Sequence, residues 1–421
     1  MKKTIPVTPP SCDDVPPGTL SVEQALKQID ALITPIEETV ALTLTEALQH
    51  VLAEAVSSPI NVPPHRNSAM DGYAVRSSDL SDHDKVKLQV IGTAFAGNPY
   101  SGTVQAGECL RIMTGAQVPD GADTVIMQEH IEREGDVIRV GPGHQAGQNV
   151  RYPGEDIAQG NVVLEAGTLL RAAELGLLAS LGIPAIKVKR KLKVAFFSTG
   201  DELRPVGESL AEGQIYDSNR YTLFGMLKGL NVEILDLGVI PDQPQAVEDA
   251  FDKASSLADA VITSGGVSVG EADYVKQTLD KLGQVNFWKI AMKPGKPLAF
   301  GKVKQAVFFG LPGNPVSVMA TFYQFVQPAL RRLSGQNRVM PVIIQLPCSE
   351  KLKKNPGRTD FQRGIMEYDA DGNLTVRSVG MQASHILSGM SRANCFIILP
   401  REWRDVEAGT MVKVQPFEGL M

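Results

Sequence analysis

The chain has 421 residues, enough for two to four domains with substantial cores. Its 43% hydrophobic and 21% charged residues are ordinary for a globular protein, and the net charge of −6 argues against nucleic acid as the main partner. No apolar run is long enough to span a membrane as a helix, and Cys12, Cys109, Cys348 and Cys395 are scattered without metal-like spacing. Free thiols in a reducing, cytoplasmic compartment are expected.

Residues 1–20 are proline-rich and read as a disordered tail. Ser21 to Gln24 has the form of a capping box, and Val22, Ala25, Leu26, Ile29 and Leu32 then follow at helical spacing. A second helical pattern covers Thr45 to Ala53. From 59 to 160 short alternating runs (Val86 to Ile91, Glu108 to Met113, Thr124 to Gln128, Val137 to Val140) separated by turn residues predict a β-rich module. Three of its loops stand out: Asn67 to Ala74 with an Asp71-Gly72 turn, Arg111 to Ala116 ending in Thr114-Gly115, and Arg151 to Asp156. Residues 161–190 become apolar and partly helical over Ala172 to Leu181. The β-rich module thus reads as an insertion into a helical linker domain of 21–58 plus 161–190.

From 191 to 335 short apolar strands alternate with helices, which predicts a doubly wound, mostly parallel α/β sheet. Loops after the strand ends line one edge of such a sheet, where ligands bind. Here they are STGDE (198–202), Pro241-Asp242, SGGVSVGEAD (264–273), KPGKP (293–297) and PGNPVS (312–317). Gly265, Gly266 and Gly270 let backbone N–H groups approach an oxyanion, and Ser264 and Ser268 can donate hydroxyl bonds to it. Glu271 and Asp273 would repel a phosphate there, and Mg²⁺ between carboxylate and phosphate removes that repulsion. Asp201, Glu202, Asp242, Lys289, Lys293 and Lys296 fall on the same edge. Residues 340–421 form a further β module, in which Arg358 and Arg363 flank Phe361, and Ser384 precedes His385.

The stretches NSAMDGYAV (67–75), RIMTGA (111–116), RYPGED (151–156), STGDEL (198–203), IYDSN (215–219), SGGVSVGEADY (264–274), KPGKP (293–297), LPGNPVS (311–317) and GRTDFQRG (357–364) occur in order over nearly the whole chain. This pattern resembles the molybdopterin molybdenumtransferase family, the MoeA group, which also includes the E domain of gephyrin. The resemblance implies an elongated homodimer of four-domain chains: the linker, the inserted β-rich domain, an α/β domain like that of molybdopterin adenylyltransferases, and a C-terminal β-barrel. It implies insertion of molybdate into adenylyl-molybdopterin with release of AMP. Asp242 and Asp273 would hold Mg²⁺ with Glu202 beside it, and Lys289, Lys293, Arg363 and Ser384 would face the oxyanion. Asp71, Thr114 and Asp156 match positions tied to activity, with Arg151 beside Asp156 and the partner subunit supplying this group. The pterin nucleotide would be bound by Ser264, Gly265, Gly266, Ser268, Gly270, Lys296, Pro312, Gly313, Asn314, Arg151, Arg358, Arg363 and Ser384. The adenylyltransferase and apo-molybdoenzymes are the implied protein partners, and a non-catalytic carrier or gephyrin-like scaffold is the alternative. The chain departs from the family at Arg66, where an acidic residue is common, and at Tyr152-Pro153, where relatives are more basic.

Overall fold

The computed structural model describes residues 18–265 and 274–417. The proline-rich tail up to residue 17 and the loop residues Gly266, Ser268, Gly270, Glu271 and Asp273 lie outside the described residues. No helix among the described residues is long and apolar enough to cross a membrane.

A six-stranded sheet forms the middle of the chain. Its strands lie in the order Glu233–Ile240, Lys193–Thr199, Ala260–Ser264, Ala306–Leu311, Pro297–Val303, Gly283–Lys289. The first four are parallel, and the last two run antiparallel to their neighbours. Two successive reversals return Gly283–Lys289 to the direction of the parallel set. Lys289 therefore ends at the same edge as Thr199, Ile240, Ser264 and Leu311. The strand Pro297–Val303, absent from the sequence reading, leaves that edge intact.

Alternation along the strands builds two cores. On one face Val194, Phe196, Ile262 and Phe309 pack with Leu223 and Leu227 of helix Ser218–Lys228 and with Phe322 and Phe325. On the other, Ala195, Phe197, Val261 and Phe308 meet Phe251 of helix Pro244–Leu257, and Val275 and Leu279 of helix Tyr274–Leu282. Phe251 lies edge-on to Phe197 at 5.1 Å and to Phe308 at 5.5 Å. Helices on both faces of the sheet make the domain doubly wound.

The linker differs from the helical expectation. Helix Val22–Leu32 carries the capping box as read, with Ser21 Oγ accepting from Gln24 N. It buries Val22, Ala25 and Ile29 in the core of the α/β domain, not in the linker. Residues 44–49 form turns in place of a helix: Gln49 sits at φ 62°, and Val51 and Leu52 bridge to Leu169 and Val188. Strand pairing thus overrides a helical apolar spacing. Strand Thr39–Thr43 pairs antiparallel with Ala185–Lys189, and helix Ala172–Ser180 packs Leu178 against Leu52, Ile186 and Val188.

The inserted region holds a sheet in the order Thr124–Met127, Gly72–Val75, Glu108–Ile112, Val86–Ala94, Val137–Val140, Ile131–Glu134. The C-terminal region pairs Met292–Lys293, Thr359–Tyr368, Cys395–Leu399, Met411–Pro416 and Ile344–Pro347 in that order. Leu374–Ser378 lies beside Thr359–Tyr368, and Val376 bridges to Cys348. Cys109, Cys348 and Cys395 are free and buried, and burial pushes the Cys109 and Cys395 thiols up to about 12, so they stay protonated.

Arg363 belongs to this architecture and does not face an anion. It lies inside strand Thr359–Tyr368, opposite Phe396, and is 1% exposed. Its guanidinium donates to Gln382 Oε1 at 3.1 Å, Met381 O at 2.8 Å, Ala383 O at 3.2 Å and Ile386 O at 2.9 Å. With four of five N–H donors engaged in the 381–386 segment, little remains for a phosphate or oxyanion. That corrects the oxyanion role implied for Arg363: it holds the loop carrying Ser384.

A second clamp joins the linker to the α/β domain. Arg190 donates to both Asp259 oxygens, at 2.7 and 2.8 Å, and Lys193 N adds a third bond at 2.8 Å. Burial pushes the Asp259 carboxyl up, but Arg190 and the Lys193 N–H outweigh it and hold the group below its ordinary range. A lowered folded value means stability that is present above the unfolded pKa of about 4 and lost as pH falls through the folded one. Asp259→Asn should therefore destabilise the protein by about 2 kcal/mol at pH 7, and denaturation midpoints of variant and parent should converge below about pH 4. Arg363→Lys should cost about 3 kcal/mol locally, read as faster amide exchange over 379–392 with exchange in Lys193–Thr199 unchanged.

Candidate active site

The carboxyl edge of the central sheet gathers the α/β loops. Gly265 turns the chain at φ 92°, where a Cβ would come 2.7 Å from Thr199 O, so the strand ends at Thr199 and Ser264 can approach only with glycine there. Gly265 N donates to Leu311 O at 3.1 Å, joining a third strand end. Asn219, in the first turn of helix Ser218–Lys228, completes the junction. Its Nδ2 donates to Ser264 Oγ at 2.8 Å and to Gly313 O at 2.7 Å. One buried amide thus fixes the spacing between the Ser264 and Pro312–Asn314 loops. Asp217 caps the same helix by accepting from Arg220 N at 3.1 Å. In the sequence both residues fall within IYDSN (215–219), but Asn219 does not stand out there as a site residue. A polar side chain in a helix's first turn, facing two glycine loops, was the available signal.

Several buried oxygens at this edge have no protein partner: Ser198 Oγ, Thr199 Oγ1, Asp217 Oδ2, Asn219 Oδ1 and Thr263 Oγ1. Unsatisfied buried polar atoms are rare in folded proteins, and they concentrate where function demands them.

Carboxylates stand beside this nest. Asp201 Oδ1 accepts from Asp242 N at 3.2 Å, and the Glu202 carboxylate folds over Gly200. Burial raises the Asp242 pKa, and the charges of Asp201 and Glu202 raise it further. Among the described residues no three such groups converge into a metal cage. Lys289 is exposed, and Lys293 and Lys296 are half-buried at the neighbouring strand end. Gly313 and Asn314 are exposed, while Pro312 is buried beneath them.

The C-terminal domain docks onto the same edge. Ser384 O accepts from Val316 N at 3.2 Å, in the first turn of helix Pro315–Thr321. Ser384 thereby reaches the PGNPVS loop that it was expected to share a site with. Arg358, half-buried, lies on the turn before strand Thr359–Tyr368.

The inserted domain carries a second patch. Asp71 Oδ1 accepts from Thr114 N and Thr114 Oγ1, both at 2.7 Å. The two residues meet because strands Gly72–Val75 and Glu108–Ile112 are antiparallel neighbours with Gly72 opposite Ile112. Only glycine fits at 72, since a Cβ would lie 2.0 Å from Ile126 O. The Thr114 N–H and then its hydroxyl hold Asp71 below the usual carboxylate range, so it is ionised at neutral pH. Arg151 pairs with Asn67, which places the third loop alongside. Arg151 and Asp156 are both exposed and make no ion pair with each other; Glu155 instead accepts from Tyr152 N at 2.8 Å. Among the described residues, no hydrogen bond or ion pair within the chain links this patch to the α/β edge.

Three family models match successive parts of the chain: the MoeA N-terminal region (domain I and II) over residues 20–182, the probable molybdopterin binding domain over 195–332, and the MoeA C-terminal region (domain IV) over 345–417. A molybdopterin molybdenumtransferase of Haemophilus influenzae is 50% identical over 405 residues, 96% of this chain and 100% of that protein. Gephyrin of Dictyostelium discoideum is 34% identical over 93% of this chain, which spans 61% of that longer protein. The crystal structure of the molybdopterin biosynthesis moeA protein from Pyrococcus horikoshii superposes with a TM-score of 0.83 at 31% identity, covering 95% of this chain and 100% of that one. Matches across every part of the chain, at these identities, make it a member of the molybdopterin molybdenumtransferase family.

Proposed function

We propose that the chain inserts molybdenum from molybdate into adenylyl-molybdopterin and releases AMP, in a Mg²⁺-dependent reaction that completes the molybdenum cofactor. The observation that carries this reading is the edge where Asn219 ties Ser264 to Gly313 beside Asp201, Glu202 and Asp242. It falls within the region matched by the probable molybdopterin binding domain.

The donor set suits a hard divalent cation, because Asp242 is half-buried beside two like charges that a cation would neutralise. Asp242, with Glu202 and with Asp273 from the undescribed loop, would hold it. Mg²⁺ supplies charge neutralisation at the phosphoanhydride that must be cleaved. Ser264 and the glycine N–H groups bind the phosphates, with Lys296, Arg358 and the Pro312–Asn314 loop flanking the nucleotide. Lys289 and Lys293 meet the molybdate oxyanion, and Ser384 offers a hydroxyl to it. Ionised Asp71 is an acceptor; it orients a protonated oxo group or departing water and does not supply a proton. With Asp156 and Arg151 it acts across a homodimer interface, the partner's inserted region closing the edge.

The direct test mixes purified full chain with adenylyl-molybdopterin, Mg²⁺ and varied molybdate, then follows AMP release and reconstitution of an apo-molybdoenzyme. Molybdate-dependent AMP release is expected, lowered about 100-fold in Asp242→Asn. Pterin binding without turnover would sink the enzymatic reading and favour a carrier. Thr114→Val removes one bond that keeps Asp71 ionised, so the acid limb of the pH–rate profile should move to higher pH. A sharing of the site between subunits predicts complementation: inactive Asp71→Asn and Asp242→Asn proteins, co-refolded, should regain part of the activity through mixed dimers carrying one intact site.

A further inference from the structure

A buried ion pair sits at the junction of the α/β and C-terminal domains, behind the lysine edge. Strand Met292–Lys293 runs parallel to the start of Thr359–Tyr368, with Lys293 in register with Asp360. Asp360 is 5% exposed, and the Lys354 side chain is wholly enclosed. Lys354 Nζ donates to Asn355 O at 2.5 Å and Arg358 O at 2.7 Å, and stands 3.6 Å from Asp360 Oδ1. Two carbonyls and one carboxylate satisfy an ammonium that burial would otherwise neutralise. Lys354 N is itself held by Asp405 Oδ1 at 2.9 Å, and Gln362 Nε2 bonds to Lys353 O at 2.8 Å. The pair is therefore locked from both flanks.

Three cations act on Asp360: Lys354, its ion-pair partner, then Lys293 on the neighbouring strand, and more weakly Arg358. Lys293 acts electrostatically on both partners, favouring the carboxylate and opposing the ammonium. A carboxylate matched one-to-one by Lys354 leaves Lys293 with its full charge. Were Lys354 neutral, Asp360 would become the counter-ion of Lys293 and compete with any anion for it.

We infer that Lys354 is a positioning residue for the reaction: by engaging Asp360 it keeps Lys293 uncompensated and available to an anionic substrate group. The inference rests on the reading of Lys293 as a contact of molybdate. Neither Lys354 nor Asp360 needs to touch substrate for this to operate.

The test is steady-state AMP release by the full chain at varied molybdate, with thermal denaturation in parallel, for Lys354→Met, Asp360→Asn, the double variant and Lys293→Gln. Lys354→Met should raise the KM for molybdate about tenfold with a smaller change in kcat. The double variant removes the competing carboxylate and should return KM to within about threefold of the parent. Should Lys354→Met fail to fold, Asp360→Asn alone decides: its molybdate KM should equal or fall below the parent value. A folded Lys354→Met with unchanged KM, a double variant no better than the single, or a raised KM in Asp360→Asn each overturns the inference. Lys293→Gln separates the two levels. If it leaves molybdate KM unchanged, the lysine reading and this inference fall together; if it raises KM while Lys354→Met does not, only the inference falls.

Discussion

The site depends on one side-chain amide. Asn219 Nδ2 carries two hydrogen bonds, to the hydroxyl ending one strand and to the carbonyl of a glycine loop after another. Parallel strands place their loops along a common edge, but sheet hydrogen bonds stop at Ser264 and Leu311. Beyond that point each loop would move independently, and an anion cradle made of backbone N–H groups works only if its donors keep their spacing. A bridging amide supplies the constraint at a place where no ladder can. Leaving its own Oδ1 unpaired costs free energy, as do the unpaired oxygens of Ser198, Thr199, Asp217 and Thr263 around it. Such a concentration persists only where packing beneath over-determines the local structure. The Phe197–Phe251–Phe308 layer and the large core on the opposite face provide that packing.

The C-terminal domain is built to present a loop to this edge. Strand Thr359–Tyr368 buries Asp360, Gln362 and Arg363: Gln362 and Arg363 bond carbonyls outside the strand, and Asp360 pairs with the Lys354 side chain. Arg363 folds the 381–386 segment so that Ser384 O meets the first turn of helix Pro315–Thr321. Polar burial here is expensive, and an apolar core would be at least as stable. What the polar groups provide is a fixed loop conformation at a domain junction, which non-directional apolar packing specifies poorly.

Much of this was legible in the sequence. Strands Lys193–Thr199, Ala260–Ser264 and Ala306–Leu311 are near-continuous apolar runs because both their faces are covered, and each runs into a glycine- or proline-marked loop. The same logic located the edge and its charged residues. Thr359–Tyr368 does not read as a strand because three of its buried positions, Asp360, Gln362 and Arg363, are polar, satisfied by Lys353, Lys354 and Gln382 from other segments. No local pattern reveals such partners. Arg363 was misread for the same reason: two arginines around an aromatic look alike whether they face solvent, anion or backbone. At 45–53 a helical spacing yielded to pairing with Leu169 and Val188, contacts more than a hundred residues away. Gly72–Val75 reads as a loop in the sequence because all four residues are buried, leaving no alternation to mark a strand.

A chain of net charge −6 that is to hold anions must arrange its cations by removing competitors as well as by adding lysines. Carboxylates at the sheet edge are grouped around Asp242, where a divalent cation can neutralise them together. Some elsewhere are paired locally: Asp259 with Arg190, Asp236 with Arg220, Asp360 with Lys354. Of these, Asp360 lies in register with Lys293, so its pairing withdraws a negative charge that could otherwise settle there. The Lys354–Asp360 pair is buried, and apolar groups in its place would be about as stable, so its value here lies in the field it leaves at Lys293.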